Sequence, residues 1–235
     1  MVHGVCRPEE KIAVIGFSDL PRDKLKSFMK NHKNFVSAPE FCNGCNVLTE
    51  ILNDYQILRN GVDEIMKEIF NKIGTDGIKV RIVGKGYGGA LANLYAIHSK
   101  AKFMVENHRI LTFGAIRVGD ENFAKYSNNI INRRRHYRVD YLKDPLPMVP
   151  FREKGFRHAG KQYTYITLPF IKKVDDKDYA QKEVFETIYF KTHYCYNKIW
   201  EYKSTSANGI TEIDYDKIKA LTPEETKILE KNNYI

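Results

Sequence analysis

The chain has 235 residues and 43% hydrophobic content, enough for one domain with a sizeable core or for two small ones. Thirty-eight Lys and Arg against 29 Asp and Glu give a net charge of +9 with no low-complexity tail, which excludes wholesale disorder and a collagen-like class. No run of about 18 apolar residues occurs, so no membrane-spanning helix is expected.

Lys11 to Gly16, with Ile12-Ala13-Val14-Ile15 unbroken, predicts a strand buried on both faces. Pro21 to Asn34 places Leu25, Phe28 and Met29 at helical spacing among lysines, which predicts a short surface helix. From Val47 to Phe70 apolar residues recur mostly at three and four positions, a long amphipathic helix that stops at Gly74-Thr75-Asp76-Gly77. Ile78 to Val83 follows as a strand, Gly84-Lys85-Gly86-Tyr87-Gly88-Gly89 as a tight turn, and Ala90 to Lys100 as a helix. Further strands are expected at Lys102 to Val105, Arg109 to Phe113 and Tyr137 to Tyr141, with Lys161 to Leu168 as an edge strand or hairpin. Phe185, Ile188, Tyr189 and Phe190 read as core packing. Thr222-Pro223-Glu224-Glu225 carries a capping residue, a proline at the first helical position and a glutamate three after the cap, so a last helix runs to about Lys231. Alternating strands and helices predict a three-layer α/β fold with a mainly parallel central sheet. No repeat or domain-length linker is evident, so residues 1–235 are expected to form one domain, with a core at about 11–200 and a helical tail at 201–235.

The first residues lack the basic, apolar and small-residue pattern of a secretory signal. As it stands the chain reads as cytoplasmic, with secretion open if a signal was removed. Residues 133–161 hold nine Lys/Arg and three Asp/Glu, a local +6 that opens on Arg133-Arg134-Arg135-His136. A solvated basic face is the favoured reading, and without zinc-finger spacing or an RNA-recognition signature no specific nucleic-acid binding is expected. Four cysteines are too few for a disulfide scaffold at this length. Cys42-Asn43-Gly44-Cys45 is open to three readings, a redox pair, half of a metal site or a local disulfide. A zinc site needs two more ligands, and Cys6 and Cys195 supply no second close pair, so no metal or cofactor is expected and a disulfide or two free thiols is favoured.

The glycine turn between strand and helix carries chemistry in two unrelated ways. Gly84-x-Gly86-x-x-Gly89 fits a dinucleotide fingerprint, with Glu106 about 20 residues on where a ribose-binding acid is expected. Gly84-Lys85-Gly86-Tyr87-Gly88 also has the frame of a nucleophile elbow, normally G-x-S-x-G, with glycine in place of the serine.

The residues downstream favour the second reading. Thr112-Phe113-Gly114-Ala115-Ile116-Arg117-Val118-Gly119, then Asp144-Pro145-Leu146-Pro147, then Gly155-Phe156-Arg157-His158, and finally His193-Tyr194 follow the turn in order. Together with Cys42-Asn43-Gly44-Cys45-Asn46-Val47 they resemble the class 3 lipases over about Lys11 to Tyr196. The resemblance implies an α/β-hydrolase fold whose elbow G-H-S-L-G-G-A, strand T-F-G-x-P-R-V-G, acid in D-P-V-P and late histidine form a catalytic triad. Matched to that pattern, Gly86 falls on the nucleophile, Lys85 and Tyr87 on its neighbours, and Asp144 and His193 on the acid and the base. Phe17 falls on the hydroxyl residue of the oxyanion segment F-R-G-[ST], unless Ser18 takes that place by a one-residue shift. Many members of the family have a local disulfide where Cys42 and Cys45 stand.

Glycine has no side chain to form an acyl-enzyme, so the resemblance implies a lipase-like domain without the family's covalent chemistry. Its main expected role is binding, to a protein partner or to a lipid or anionic small molecule. Lys85, Gly86, Tyr87, Gly88 and Phe17 are the candidate ligand-binding residues, because a helix N-terminus suits an anion. Two alternatives stand beside it: a hydrolase using water activated by His193 and Asp144 or a displaced nucleophile such as Ser18, and nucleotide binding at the glycine turn.

Overall fold

The computed structural model describes residues 1–31, 35–141, 144, 146–167 and 170–173. Its first element was not foreseen: Val2–Arg7 (β1) pairs antiparallel with Ile12–Phe17 (β2), Val2 opposite Phe17 and Arg7 opposite Ile12. β1 is an edge strand with most of its side chains in solvent, so it lacks the apolar alternation that marks a half-buried strand. Lys79–Lys85 (β5) lies parallel to β2, and Asn107–Phe113 (β6) parallel to β5. Between β2 and β5 come Arg22–Asn31 (α1), Phe35–Ser37 (β3), Asn46–Leu48 (β4) and Thr49–Ile73 (α2); Tyr87–Phe103 (α3) joins β5 to β6. Strand order β1-β2-β5-β6 gives the larger unit, residues 1–138 with 146–161, a mainly parallel sheet flanked by helices.

Side-chain alternation sets the sheet's covered face. Ala13, Ile15 and Phe17 on β2 and Val80 and Ile82 on β5 are buried, while their alternate neighbours are half-exposed. α2 turns Ile51, Leu52, Tyr55, Val62, Met66 and Ile69 inward, each burial worth about 2 kcal/mol in area removed from water. Gly74 ends it at φ 73°, the left-handed region open to glycine, and its N–H bonds the Phe70 carbonyl. α1 is less of a surface helix than its lysines indicated, since Leu25 and Phe28 are buried.

Further differences from the sequence reading have local causes, while the disulfide reading of Cys42 and Cys45 is borne out. No strand forms at 102–105; α3 continues through Phe103 and ends at Met104, which takes the left-handed conformation at φ 49°. The β3–β4 hairpin frames Cys42 and Cys45, which are joined as a disulfide, while Cys6 is a free thiol. Glu121–Ile131 (α4) also went unforeseen, although Asp120 caps it by accepting from the Phe123 N–H at 2.8 Å and Phe123, Ala124, Ser127 and Ile131 form its buried stripe.

After α4, His136–Tyr141 (β7) forms where the sequence indicated a strand at Tyr137 to Tyr141. The second unit, residues 139–145 and 162 onward, contains an antiparallel hairpin of Lys161–Thr167 (β8) and Phe170–Lys173 (β9). The expected packing cluster at Phe185 to Phe190, the terminal helix near Thr222, Cys195 and His193 lie outside the described residues. Among those described, no helix is long and apolar enough to cross a membrane.

α2 and α3 are tied by one buried acid. Asp63 is 2% exposed, and its carboxylate accepts from the Tyr95 hydroxyl at 3.0 Å and from Lys102 Nζ at 2.6 Å, with His98 Nε2 at 3.1 Å. Burial pushes its carboxyl up, but the bonds from Lys102, His98 and Tyr95 outweigh burial and hold it below the usual carboxylate range. A depressed acid contributes stability that is full above the unfolded value near 3.9 and lost as pH falls through the lower folded value. Asp63→Ala is expected to cost about 2–3 kcal/mol in urea unfolding at neutral pH, because the Tyr95 hydroxyl is stranded, and to flatten the acid limb of the stability profile.

Candidate functional site

β5 delivers the chain into the glycine turn, and Gly86 stands between strand and helix at φ 54°, ψ −121°. Side-chain-bearing residues rarely adopt this conformation, and it produces the sharp strand-to-helix turn on which α/β hydrolases mount a nucleophile. The Gly86 N–H bonds the Phe113 carbonyl at 2.9 Å, and its own carbonyl accepts from the Gly89 N–H at 3.1 Å. α3 therefore starts within the glycine run, at Tyr87, and not after it.

The turn is pressed against the end of β2. A Cβ on Gly88 would overlap the carbonyl oxygens of Phe17 and Ser18, so only glycine permits that approach. Just beyond, Asp19 reaches back to the turn. Its Oδ1 accepts from the Tyr87 N–H at 3.0 Å and from the Leu20 N–H at 2.9 Å, and a Cβ on Gly86 would overlap both carboxylate oxygens. Gly86 itself offers α3 no capping side chain, so a carboxylate 68 positions from Tyr87 fills that role at the positive end of the helix.

The other residues named from the sequence fall as follows. Tyr87 is 3% exposed and points away from the turn, its hydroxyl donating to Asp54 Oδ2 at 2.7 Å and its ring edge-on to Phe28 at 5.1 Å. Burial, and then Asp54, push its phenol far above the ordinary range, so it stays protonated at neutral pH. Phe17 is buried with its ring 5.7 Å from Tyr95. Ser18 donates its hydroxyl to the Met1 carbonyl at 2.9 Å, which also takes its N–H. Lys85 is half-buried at the end of β5. Asp144 is 1% exposed; His193 lies outside the described residues. The structure thus groups Phe17, Gly86, Tyr87 and Gly88, and adds Asp19, which the sequence reading passed over.

The nucleotide reading meets two obstacles. Asp19 puts negative charge on the N–H that would face a pyrophosphate, and Glu106 precedes β6 at the end opposite Phe113, roughly 20 Å along the strand from Gly86. Among the described residues no group of three His, Cys, Asp or Glu side chains is placed to hold a metal ion.

Under α3, a small polar cavity of about 10 Å³, room for about one water, is lined by Asn93, Thr112, His136, Arg138, Arg157 and His158 among others. His136 Nδ1 and Thr112 Oγ1 are buried there without a hydrogen-bond partner, while His158 Nε2 meets the Pro147 carbonyl at 2.7 Å. Burial, reinforced by Arg138, lowers His136 to about 3, and burial with Arg138 and Arg117 holds His158 well below its ordinary value.

This mainly parallel sheet, its flanking helices and a strand-turn-helix bent at Gly86 define an α/β-hydrolase domain. The family model for class 3 lipases matches residues 19–154, and the chain belongs to that family. It is 28% identical over 131 residues to the secreted mono- and diacylglycerol lipase 2 of Gibberella zeae, covering 52% of this chain and 32% of that one. Secreted mono- and diacylglycerol lipase A of Penicillium camembertii is 26% identical over 132 residues, 56% of this chain and 41% of the relative. The chain thus spans 32% and 41% of the length of these relatives. Among solved structures, lipase II of Rhizopus niveus superposes with a TM-score of 0.66 at 22% identity, covering 75% of this chain and 68% of that one. A triacylglycerol lipase whose catalytic centre is a serine protease triad gives 0.63 at 24%, covering 73% and 66%.

Two outcomes are expected. Gly88→Ala should lower stability by about 1–3 kcal/mol, because the backbones of β2 and α3 must separate, measurable as a lower urea midpoint. The two cavity histidines give stability that is full above the unfolded histidine value near 6.5 and lost as pH falls toward their folded values, so the urea midpoint should decline from pH 6.5 to 4 and decline less in His136→Gln.

Proposed function

We propose that this domain does not hydrolyse esters through an elbow nucleophile and acts by binding, to a protein partner or to a lipid or small molecule; the Asp19 carboxylate on the Tyr87 N–H argues against an anion held at the turn itself. The observation that supports the reading is Gly86: the turn keeps a nucleophile's backbone conformation, φ 54° and ψ −121°, and carries no side chain. The two nearest substitutes are otherwise engaged. Tyr87 is held protonated on Asp54, and the Ser18 hydroxyl is on the Met1 carbonyl. Asp144 and His193 are then the remainder of a triad that has no hydroxyl to activate. The Cys42–Cys45 disulfide and the secreted relatives support an oxidising compartment outside the cytoplasm.

The competing reading is a hydrolase in which His193 and Asp144 activate water directly, which general-base catalysis alone would support at about 10²- to 10⁴-fold over background. An assay with a short-chain chromogenic ester and a phospholipid separates the two. Native protein and His193→Ala should both give the rate of the buffer. Turnover by the native protein that disappears in His193→Ala would establish the hydrolase instead.

A further inference from the structure

We propose that Asp19 is the partner of Gly86: a positioning residue whose carboxylate occupies the space of an elbow side chain and holds the backbone N–H that a hydrolase keeps for the oxyanion. This rests on the reading of Gly86 as the vacant nucleophile position.

Three features converge on it. Both oxygens of Asp19 lie closer than van der Waals contact to the place a Cβ at residue 86 would take. Its Oδ1 takes the Tyr87 N–H at 3.0 Å, and in this fold the residue after the nucleophile supplies one of the two oxyanion donors. A second bond from the Leu20 N–H at 2.9 Å fixes the side chain in that pose. The oxygen of an ester carbonyl placed at the elbow would develop its negative charge against an existing carboxylate, so the pose raises the barrier to acyl transfer as well as blocking the nucleophile. The same negative charge suits the first turn of α3, which gives the pose a reason to persist.

The consequence is coupling. A serine at residue 86 must displace Asp19, and removing the Asp19 carboxylate costs the helix its cap unless something refills the space. Restoring the serine alone therefore fails, and the two positions change together. The strain of a side chain at φ 54° enters both variants that carry Gly86→Ser and cancels in a double-mutant cycle.

The test is that cycle: native protein, Asp19→Ala, Gly86→Ser and the double variant, compared by urea midpoint and by the rate of covalent labelling with a fluorophosphonate probe. Each single variant should lower the midpoint, the double variant should lie well above the sum of the two losses, and it should be labelled at least tenfold faster than Gly86→Ser. Additive midpoints, or Gly86→Ser labelled as fast as the double, would overturn the proposal. Should the Gly86→Ser variants fail to fold, hydrogen exchange at the Tyr87 amide decides: at least tenfold faster exchange in Asp19→Ala, with neighbouring α3 amides unchanged, supports the bond's role, and unchanged exchange refutes it. Native turnover lost in His193→Ala would instead refute the functional reading while leaving the coupling measurable. Additivity would remove Asp19's role and leave the native protein's inactivity standing.

Discussion

The close approach of two backbones at Gly88 underlies the whole site. The end of β2 and the first turn of α3 meet with the Phe17 and Ser18 carbonyls where any side chain at residue 88 would project. That contact fixes where the chain leaves the sheet, and hence where the next residue, Asp19, can reach. A shift of one ångström there would carry its carboxylate out of hydrogen-bond range of the Tyr87 N–H, which is 3.0 Å away. The glycine at residue 86 has a different function, since it admits the bend itself at positive φ.

Rigidity behind the turn comes from polar groups as much as from apolar ones. Asp63 pins α3 to α2 by three side-chain partners, at Tyr95, His98 and Lys102, which occupy successive turns of the same helix. Tyr87 does the same at the helix's beginning through Asp54. Two carboxylates of α2 thus hold α3 near both its ends. A helix so held cannot slide to relieve a collision at its N-terminus, and this makes the packing at Gly86 and Gly88 unforgiving.

The fold class was legible because its signals were local and strong. Ile12 to Ile15 is an unbroken apolar run, α2 has helical periodicity over most of its length, and the glycine run lies between a strand and a helix. β1 was not legible, since an exposed edge strand need not alternate, and the missed α4 had its signal in plain sight at Asp120 and the Phe123-Ala124-Ser127-Ile131 stripe. The strand expected at 102–105 failed because helix termination there depends on the backbone of Met104, a residue with no stop signal of its own. At the site, the elbow followed from its sequence frame, but Asp19 did not. Its role arises from a contact across 68 positions, and no local pattern marks an aspartate two residues past a strand as a helix cap.

On the proposed reading, glycine at residue 86 relieves a strain that a catalytic site must bear. A serine at φ 54° sits in a conformation that costs of order 1–3 kcal/mol, and it leaves the donor at Tyr87 unsatisfied until substrate arrives. With glycine the bend is free of that cost, and with Asp19 the donor is bonded and the helix end is capped. Both changes move the elbow toward stability and away from catalysis, the direction expected once selection for turnover is gone. They also reinforce each other, because the carboxylate fits only where the side chain is missing. A pair of that kind resists reversal one residue at a time, so the fold and the elbow's geometry persist while the chemistry does not return.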